Sequence, residues 1–344
     1  MEKRIEDIVR HSKKLEITVS VSYYPNLMIR NGLCPKHLPK DIFLKLYEGF
    51  FIERRNTPKS DPRNYILKIL LNSTYGLTND KYSFLRDRLV TLAICINGQL
   101  LLTQLMEELS LNIPEFQLIM MNTDGFEVLI PKEYEELYFQ ICKKWEALTK
   151  LELEFADYNK MIISDVNNYI AIDTKSKVKV KGKYEFENIP LHKNKSHSIV
   201  PKAVHDYWVK GIPIEDTIYN HNNIFDFCAG VKAKKSDKKG YSHYELHSVV
   251  NGQLNKQKLS KTVRYYISNK GATLIKVYET GDWEHVEAPV RKGNKIIKDW
   301  KVTYFNKAFK HTNMKDYNID YTYYISNARK WINEIKDINQ LSLF

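Results

Sequence analysis

Residues 116–130, FQLIMMNTDGFEVLI, constrain the fold of this chain more than any other stretch. Two β-prone runs separated by Asn-Thr-Asp-Gly predict antiparallel strands around a tight turn at Asp124-Gly125. Helical segments lie on both sides. Residues 89–109 are mostly apolar and long enough for a helix, and residues 132–150 carry a helical period through Tyr134, Leu137, Ile141 and Trp145. Upstream, residues 17–29 read as strand as far as Pro25. Ile42, Leu46 and Phe50 recur at helical spacing within 41–52. Asp61-Pro62 is an N-cap and N1 pair opening a helix that should run to about Tyr75, where Gly76 ends it. Residues 151–184 read as further strands, closing on the alternating run KVKVKGKYE. Beyond Pro190 short helices are expected at 201–210, 213–221 and 320–337, with a basic segment, KAKKSDKKGYSH, between them.

Charge divides the 344 residues unevenly. Residues 1–175 hold 23 Lys/Arg and 24 Asp/Glu, net −1. The remaining 30 and 17 lie in 176–344, net +13, an electrostatic footprint suited to a polyanion. A solubility surface is the simpler alternative. Four cysteines, Cys34, Cys95, Cys142 and Cys228, form no CxxC and no secreted disulfide framework. The longest apolar run, Leu89 to Leu105, is broken by Asn97, Gly98 and Gln99 and reads as a buried helix rather than a membrane span. The N-terminal segment lacks the apolar core of a signal peptide. A soluble, cytoplasmic protein is the expectation.

Three constellations could carry chemistry. Lys68, Asn72 and Tyr75 stand at i, i+4 and i+7, so they share one helix face, a stripe suited to a ligand bearing both phosphate and base. Arg55 and Lys59 add two cations upstream. Asp124 on its hairpin could hold a hard cation such as Mg²⁺, but on its own the Asp-Gly pair is better explained as simply a turn. Lys177, Lys179, Lys181 and Lys183 alternate along a strand and would present four like charges to one side, as phosphate backbone requires; an aggregation-resistant edge strand is the competing explanation. Two weaker patterns are set aside. His243 and His247 around Glu245 do not form HExxH, and Arg264-Tyr265-Tyr266 reads better as core.

Together these segments resemble the polymerase half of family B DNA polymerases, most closely the phage type. SYYPNLMI at 22–29 looks like motif A, usually DxxSxYP. KILLNSTYG at 68–76 matches motif B, KxxxNSxYG, at every fixed position. NTDG at 122–125 looks like motif C, usually DTDS, and KVKGKYE at 179–185 looks like the primer-gripping motif. The resemblance covers about residues 17–190 and extends loosely beyond. It implies an α+β right-hand architecture. A palm at 1–39 and 89–188 would be built on an antiparallel sheet, helical fingers would occupy 40–88, and a mixed α/β thumb would occupy 189–344. It implies template-directed transfer of deoxynucleoside triphosphates to a primer 3′ end with Mg²⁺, for which Mn²⁺ can substitute. Lys68, Arg55 and Lys59 would contact the triphosphate. Ser22 and Tyr23 would lie near the phosphates, Tyr24 under the sugar, and Asn72 and Tyr75 along the nascent pair. Gly76, Lys179, Lys181, Gly182, Lys183 and Tyr184 would hold primer–template DNA, and Asp124 would bind metal.

Two departures stand out. The motif A aspartate should fall at position 19, which is Val19, and the first motif C acid is Asn122. Glu16 is three residues away, on the opposite side of a strand and about 10 Å off. Of three acidic positions only Asp124 remains. The chain also leaves no room for the exonuclease and N-terminal domain the family normally carries. It therefore reads as a C-terminal piece or diverged relative from a phage-infected or bacterial cell, with a separate chain as a possible partner. The alternative is an inactive DNA- or nucleotide-binding remnant, or a partner-dependent subunit of a split polymerase.

Overall fold

The computed structural model describes residues 13–20, 22–187, 196–233, 235–236, 240–280, 290–297, 299–306 and 313–341. Part of the basic segment 232–243 lies outside them. The chain forms two compact units, residues 1–161 with 171–178, and residues 162–170 with 179–344.

In the first unit, β1 (Lys13–Ser20), β2 (Gln117–Met121), β3 (Gly125–Pro131) and β4 (Leu153–Asp165, in this unit as far as Met161) stand in the order β2-β3-β1-β4. All neighbouring pairs are antiparallel. The order continues through β5 (Asn168–Asp173) and β6 (Val178–Lys181), whose residues are divided between the units. The helices are α1 (Tyr23–Arg30), α2 (Lys40–Asn56), α3 (Pro62–Asn79), α4 (Arg88–Asn112) and α5 (Glu135–Thr149). Phe126, Val128 and Ile130, alternating along β3, share one core with Leu27, Leu71, Ile94, Leu105, Tyr138 and Trp145 from the helices. The α+β class and the antiparallel sheet agree with the sequence reading.

Local chemistry explains the helix starts. The Asp61 carboxylate accepts the Arg63 N–H at 2.8 Å with Pro62 behind it. Asp87 caps α4 in the same way through the Leu89 N–H. Elsewhere the structure departs from expectation. The strand at 17–29 stops at Ser20 and becomes α1, because Pro25 falls in the first helical turn, where its missing N–H costs nothing. Gly76 does not end α3. The helix runs to Asn79, held by the buried Thr78 hydroxyl, which donates to the Tyr75 carbonyl and meets the Thr91 hydroxyl, both at 2.7 Å. The turn of the β2–β3 hairpin is centred on Thr123-Asp124, with Asn122 N–H donating to Gly125 C=O at 2.8 Å and Gly125 already in the strand. On α2 the buried residues are Tyr47 and Phe51, while Ile42, Leu46 and Phe50 are exposed.

α4 is long and apolar enough to cross a membrane by length and composition. It buries Val90, Ile94, Gly98, Leu102, Leu105, Met106 and Leu109 in the core and leaves Leu89, Leu92, Ile96 and Leu100 exposed.

The second unit holds a sheet ordered β10-β9-β11-β12, from β9 (Gly240–Val250), β10 (Gln253–Lys258), β11 (Thr262–Thr280) and β12 (Val290–Lys295). β7 (Ala229–Lys232) and β13 (Val302–Tyr304) pair with β11, and β8 (Lys235–Ser236) with β9. Helices α6 (Ile199–Lys210), α7 (Ile214–Tyr219), α8 (Ile224–Phe227) and α9 (Tyr321–Leu341) complete it. The Tyr324 hydroxyl joins them by accepting the Ile267 N–H at 2.9 Å and donating to the Phe227 carbonyl at 2.8 Å. Tyr265 and Tyr266 are buried, in line with a core role. His243 and His247 lie on strand β9, and both Nε2 atoms hydrogen-bond the Glu245 carboxylate, at 2.9 and 2.8 Å. Among the described residues no group of three or more His, Cys, Asp or Glu side chains is arranged to hold a metal ion. All four cysteines are free.

Candidate functional site

Sheet register brings the first and third motif segments together. Val19 pairs with Gly125 across β1 and β3, so the position where motif A expects its acid adjoins Asp124 at the hairpin turn. Asp124 is exposed. The chain then turns through Ser22, whose φ of 48° lies in the left-handed region, before α1 begins. Tyr23 and Tyr24 follow at the start of α1, with ring centroids 6.2 Å apart. Tyr23 is buried and its hydroxyl donates to the Gly98 carbonyl of α4 at 2.5 Å. Burial pushes its phenol well above the ordinary tyrosine range, and the nearby Tyr24 and Asp124 push in the same direction.

Tyr24 is half-buried and stacks on Tyr75 of α3, ring centroids 4.4 Å apart and planes 25° from parallel. The Tyr75 hydroxyl also contacts Cys95 Sγ at 3.0 Å. Burial, then this contact, raises the Tyr75 phenol. Lys68 and Asn72 continue the Tyr75 stripe along α3, both exposed. A cation, an amide and a fixed aromatic stack therefore follow one another along one helix face, which can hold a phosphate at one end and a planar group at the other.

The two upstream cations behave differently. Lys59 is exposed in the α2–α3 loop. Arg55 is engaged by Glu152 at 2.7 Å in an exposed ion pair. Its neighbour Arg54, which no sequence pattern singles out, donates from Nη1 to Ser22 Oγ at 2.8 Å. Arg54 thus supports the strained residue ahead of α1. Neighbouring arginines on a helix look alike in sequence, and only packing separates them.

The lysine run lies in the second unit from Lys179 onward. Lys179 and Lys181 stand on β6, with Nζ atoms 5.9 and 5.6 Å from the Tyr169 ring centroid. Gly182, at φ 68°, ends the strand. Lys183 and Tyr184 therefore leave the strand in a single 3₁₀ turn, contrary to the expectation of four lysines on one strand face. A β4–β5 turn receives this segment. Asp165 carboxylate oxygens accept from Asn168 Nδ2 at 2.9 and 2.8 Å, and Asn168 Oδ1 accepts the Lys183 N–H at 2.6 Å. The Asn168 bonds, with the Asn167 N–H, hold the Asp165 carboxyl below its usual range. Lys183 Nζ approaches Glu334 at 3.3 Å and lies over the Trp331 ring. Tyr184 is fully buried, and burial pushes its phenol up to about 12. It anchors the turn, leaving Lys179 the most accessible of the three lysines from 179 onward.

No family model matches the chain, and no curated protein matches it. Among solved structures it is similar to the family B DNA polymerase from the hyperthermophilic archaeon Pyrobaculum calidifontis. Identity is 14% and the TM-score 0.47, over 94% of this chain and 45% of that one. The chain thus spans less than half the length of that polymerase.

Proposed function

We propose that this chain is a template-directed DNA polymerase of the family B type, adding deoxynucleotides to a primer 3′ end, and that it is a fragment or diverged member. The observation that supports this reading most is the Tyr24–Tyr75 stack, which joins the segments resembling motifs A and B. The segments that resemble motifs A, B and C are far apart in sequence and are linked in the first unit by two contacts, Tyr24 on Tyr75 and Val19 beside Gly125.

Lys68 binds the triphosphate and offsets charge on the leaving pyrophosphate. Asn72 and the Tyr24–Tyr75 stack position the base and sugar, converting a bimolecular encounter into an oriented one. Arg54 keeps Ser22 and the start of α1 in register with the phosphates. Asp124 would hold Mg²⁺, which supplies charge neutralisation at the reacting phosphate; its exposed carboxylate suits a hard cation. Lys179, Lys181 and the Gly182 turn bind the DNA backbone.

A second reading, an inactive nucleotide- and DNA-binding remnant, is favoured by Val19 itself. A missing carboxylate ligand should lower the rate by several powers of ten. Primer extension with Mg²⁺ and with Mn²⁺, on the chain and on Val19→Asp, separates the two. Extension by the unmodified chain supports an active polymerase. Extension only after the substitution supports the remnant. No extension by either overturns the autonomous polymerase.

A further inference from the structure

Both rings of the Tyr24–Tyr75 stack are tied to one helix, α4, by contacts three residues apart. On the α3 side the Tyr75 hydroxyl meets Cys95 Sγ at 3.0 Å. On the α1 side Tyr23, the residue before Tyr24, donates from its hydroxyl to the Gly98 carbonyl at 2.5 Å. Positions i and i+3 share a helix face, so Cys95 and Gly98 turn one side of α4 to both neighbouring helices.

Gly98 is buried in the middle of α4, where glycine is a poor helix former. The close approach of α1 accounts for it. A Cβ at position 98 would stand 3.1 Å from Leu27 Cδ1 and 3.1 Å from Tyr23 Cε1. Carbon atoms settle at about 3.5–4.0 Å, so any side chain there would push α1 away by a few tenths of an ångström. Leu27 and Tyr23 are both buried, and a close-packed core leaves them little space to turn into. Cys95 is half-buried, and its thiol is the group that Tyr75 meets behind the stack.

We propose that Gly98 and Cys95 are positioning residues. Through Gly98 α4 holds α1, and through Cys95 it holds α3, so that together they fix the gap between the Tyr24 and Tyr75 rings and with it the preference for deoxyribose over ribose triphosphates. The link to sugar preference rests on the polymerase reading. The rings stand 4.4 Å apart and 25° from parallel, in the range of an offset stack. A ring held from behind cannot retreat from an extra hydroxyl on a sugar laid against it, whereas a ring on a loosened helix can. Gly98 and Cys95 act through the two rings rather than by touching the nucleotide.

The test has two readouts on the full chain. Ring-proton NMR shifts of Tyr24 and Tyr75 in tyrosine-labelled protein, assigned through Tyr24→Phe and Tyr75→Phe, report the stack whatever the chain binds. The ratio of affinities for Mg²⁺·dATP and Mg²⁺·ATP, measured by calorimetry, reports the sugar preference; a purely structural role would lower both affinities together and leave the ratio alone. Gly98→Ala should move both sets of shifts and lower the dATP preference roughly tenfold, since a misplacement of about 1 Å can cost about a hundredfold. Cys95→Ala should act in the same direction, while Cys95→Ser, which keeps a partner for the Tyr75 hydroxyl, should keep the native ratio. At a half-buried position both cysteine variants should fold even where Gly98→Ala does not. Ring shifts that stay in place in Gly98→Ala and Cys95→Ala overturn the positioning role. Shifts that move at a constant dATP/ATP ratio overturn the link to sugar preference. No Mg²⁺·dATP binding by the unmodified chain overturns the polymerase reading and the sugar preference with it, while the ring shifts still decide the positioning role.

Discussion

The strand ends at Val19 and Asp124 and the turn at Gly182 make an instructive contrast. Around Gly182 nearly every polar group is committed. Asp165 holds Asn168, Asn168 holds the Lys183 backbone, and Lys183 reaches Glu334. Asp124 by contrast has an exposed carboxylate, and the strand position paired with its neighbour Gly125 is a valine. The turn that presents lysines is over-determined by its own fold. The end that would hold metal depends on what binds there. Under the polymerase proposal, the lysine turn should outlast a loss of catalysis, and the Asp124 end should be the first to change.

The contrast predicts where substitutions hurt. The largest effect on stability belongs to Gly182→Ala. An added Cβ would stand 2.2 Å from the Asn167 carbonyl oxygen and from Asn168 Oδ1, at a φ that L residues avoid. The second unit should lose on the order of 4 kcal/mol in chemical denaturation. A wild-type-like unfolding curve would mean that the turn is looser than its contacts imply.

Acid should come next. Burial lowers the His197 imidazole from 6.5 to about 4. Its ring lies edge-on to Tyr323 and Tyr324, at 5.3 and 5.4 Å. Because the folded pKa lies below the unfolded one, the stabilisation is complete above pH 6.5 and is lost as pH falls toward 4. That amounts to about 3 kcal/mol. Thermal melts between pH 7 and 4 (a range set by those two values) should show the loss, and it should shrink in His197→Asn, which also suits the residue's positive φ. A melting temperature independent of pH over that range would contradict the burial of His197.

The smallest effect belongs to the lysines of β6. Neutralising Lys179 and Lys181 together should weaken primer–template binding uniformly across sequences. It should also reduce the salt slope by about 1 for each phosphate that is no longer neutralised. An unchanged slope would remove β6 from the DNA surface.

Legibility from sequence followed the range of the forces. The start of α3 could be read because an Asp-Pro cap acts within three residues. Its end could not, because Thr78 is tied to Thr91 of another helix. The switch from β1 to α1 was hidden by the β-branched run leading into it, and the break at Gly182 by an alternation of lysines that continues past the end of the strand. The Lys68–Asn72–Tyr75 stripe was legible as helix periodicity, but the stacking of Tyr75 on Tyr24 was not, because it depends on how α1 packs against α3. The bond from Arg54 to Ser22 was not legible, because it depends on helix packing that links residues 32 positions apart.

The most direct test of a nucleotide site on α3 is the affinity of the chain for Mg²⁺·dATP, measured by calorimetry, against that of Lys68→Ala. Lys68 is exposed and carries no packing role, so the variant should fold normally and bind at least about tenfold more weakly. Equal affinity in the two proteins would contradict a triphosphate site on that helix face, and with it the polymerase reading.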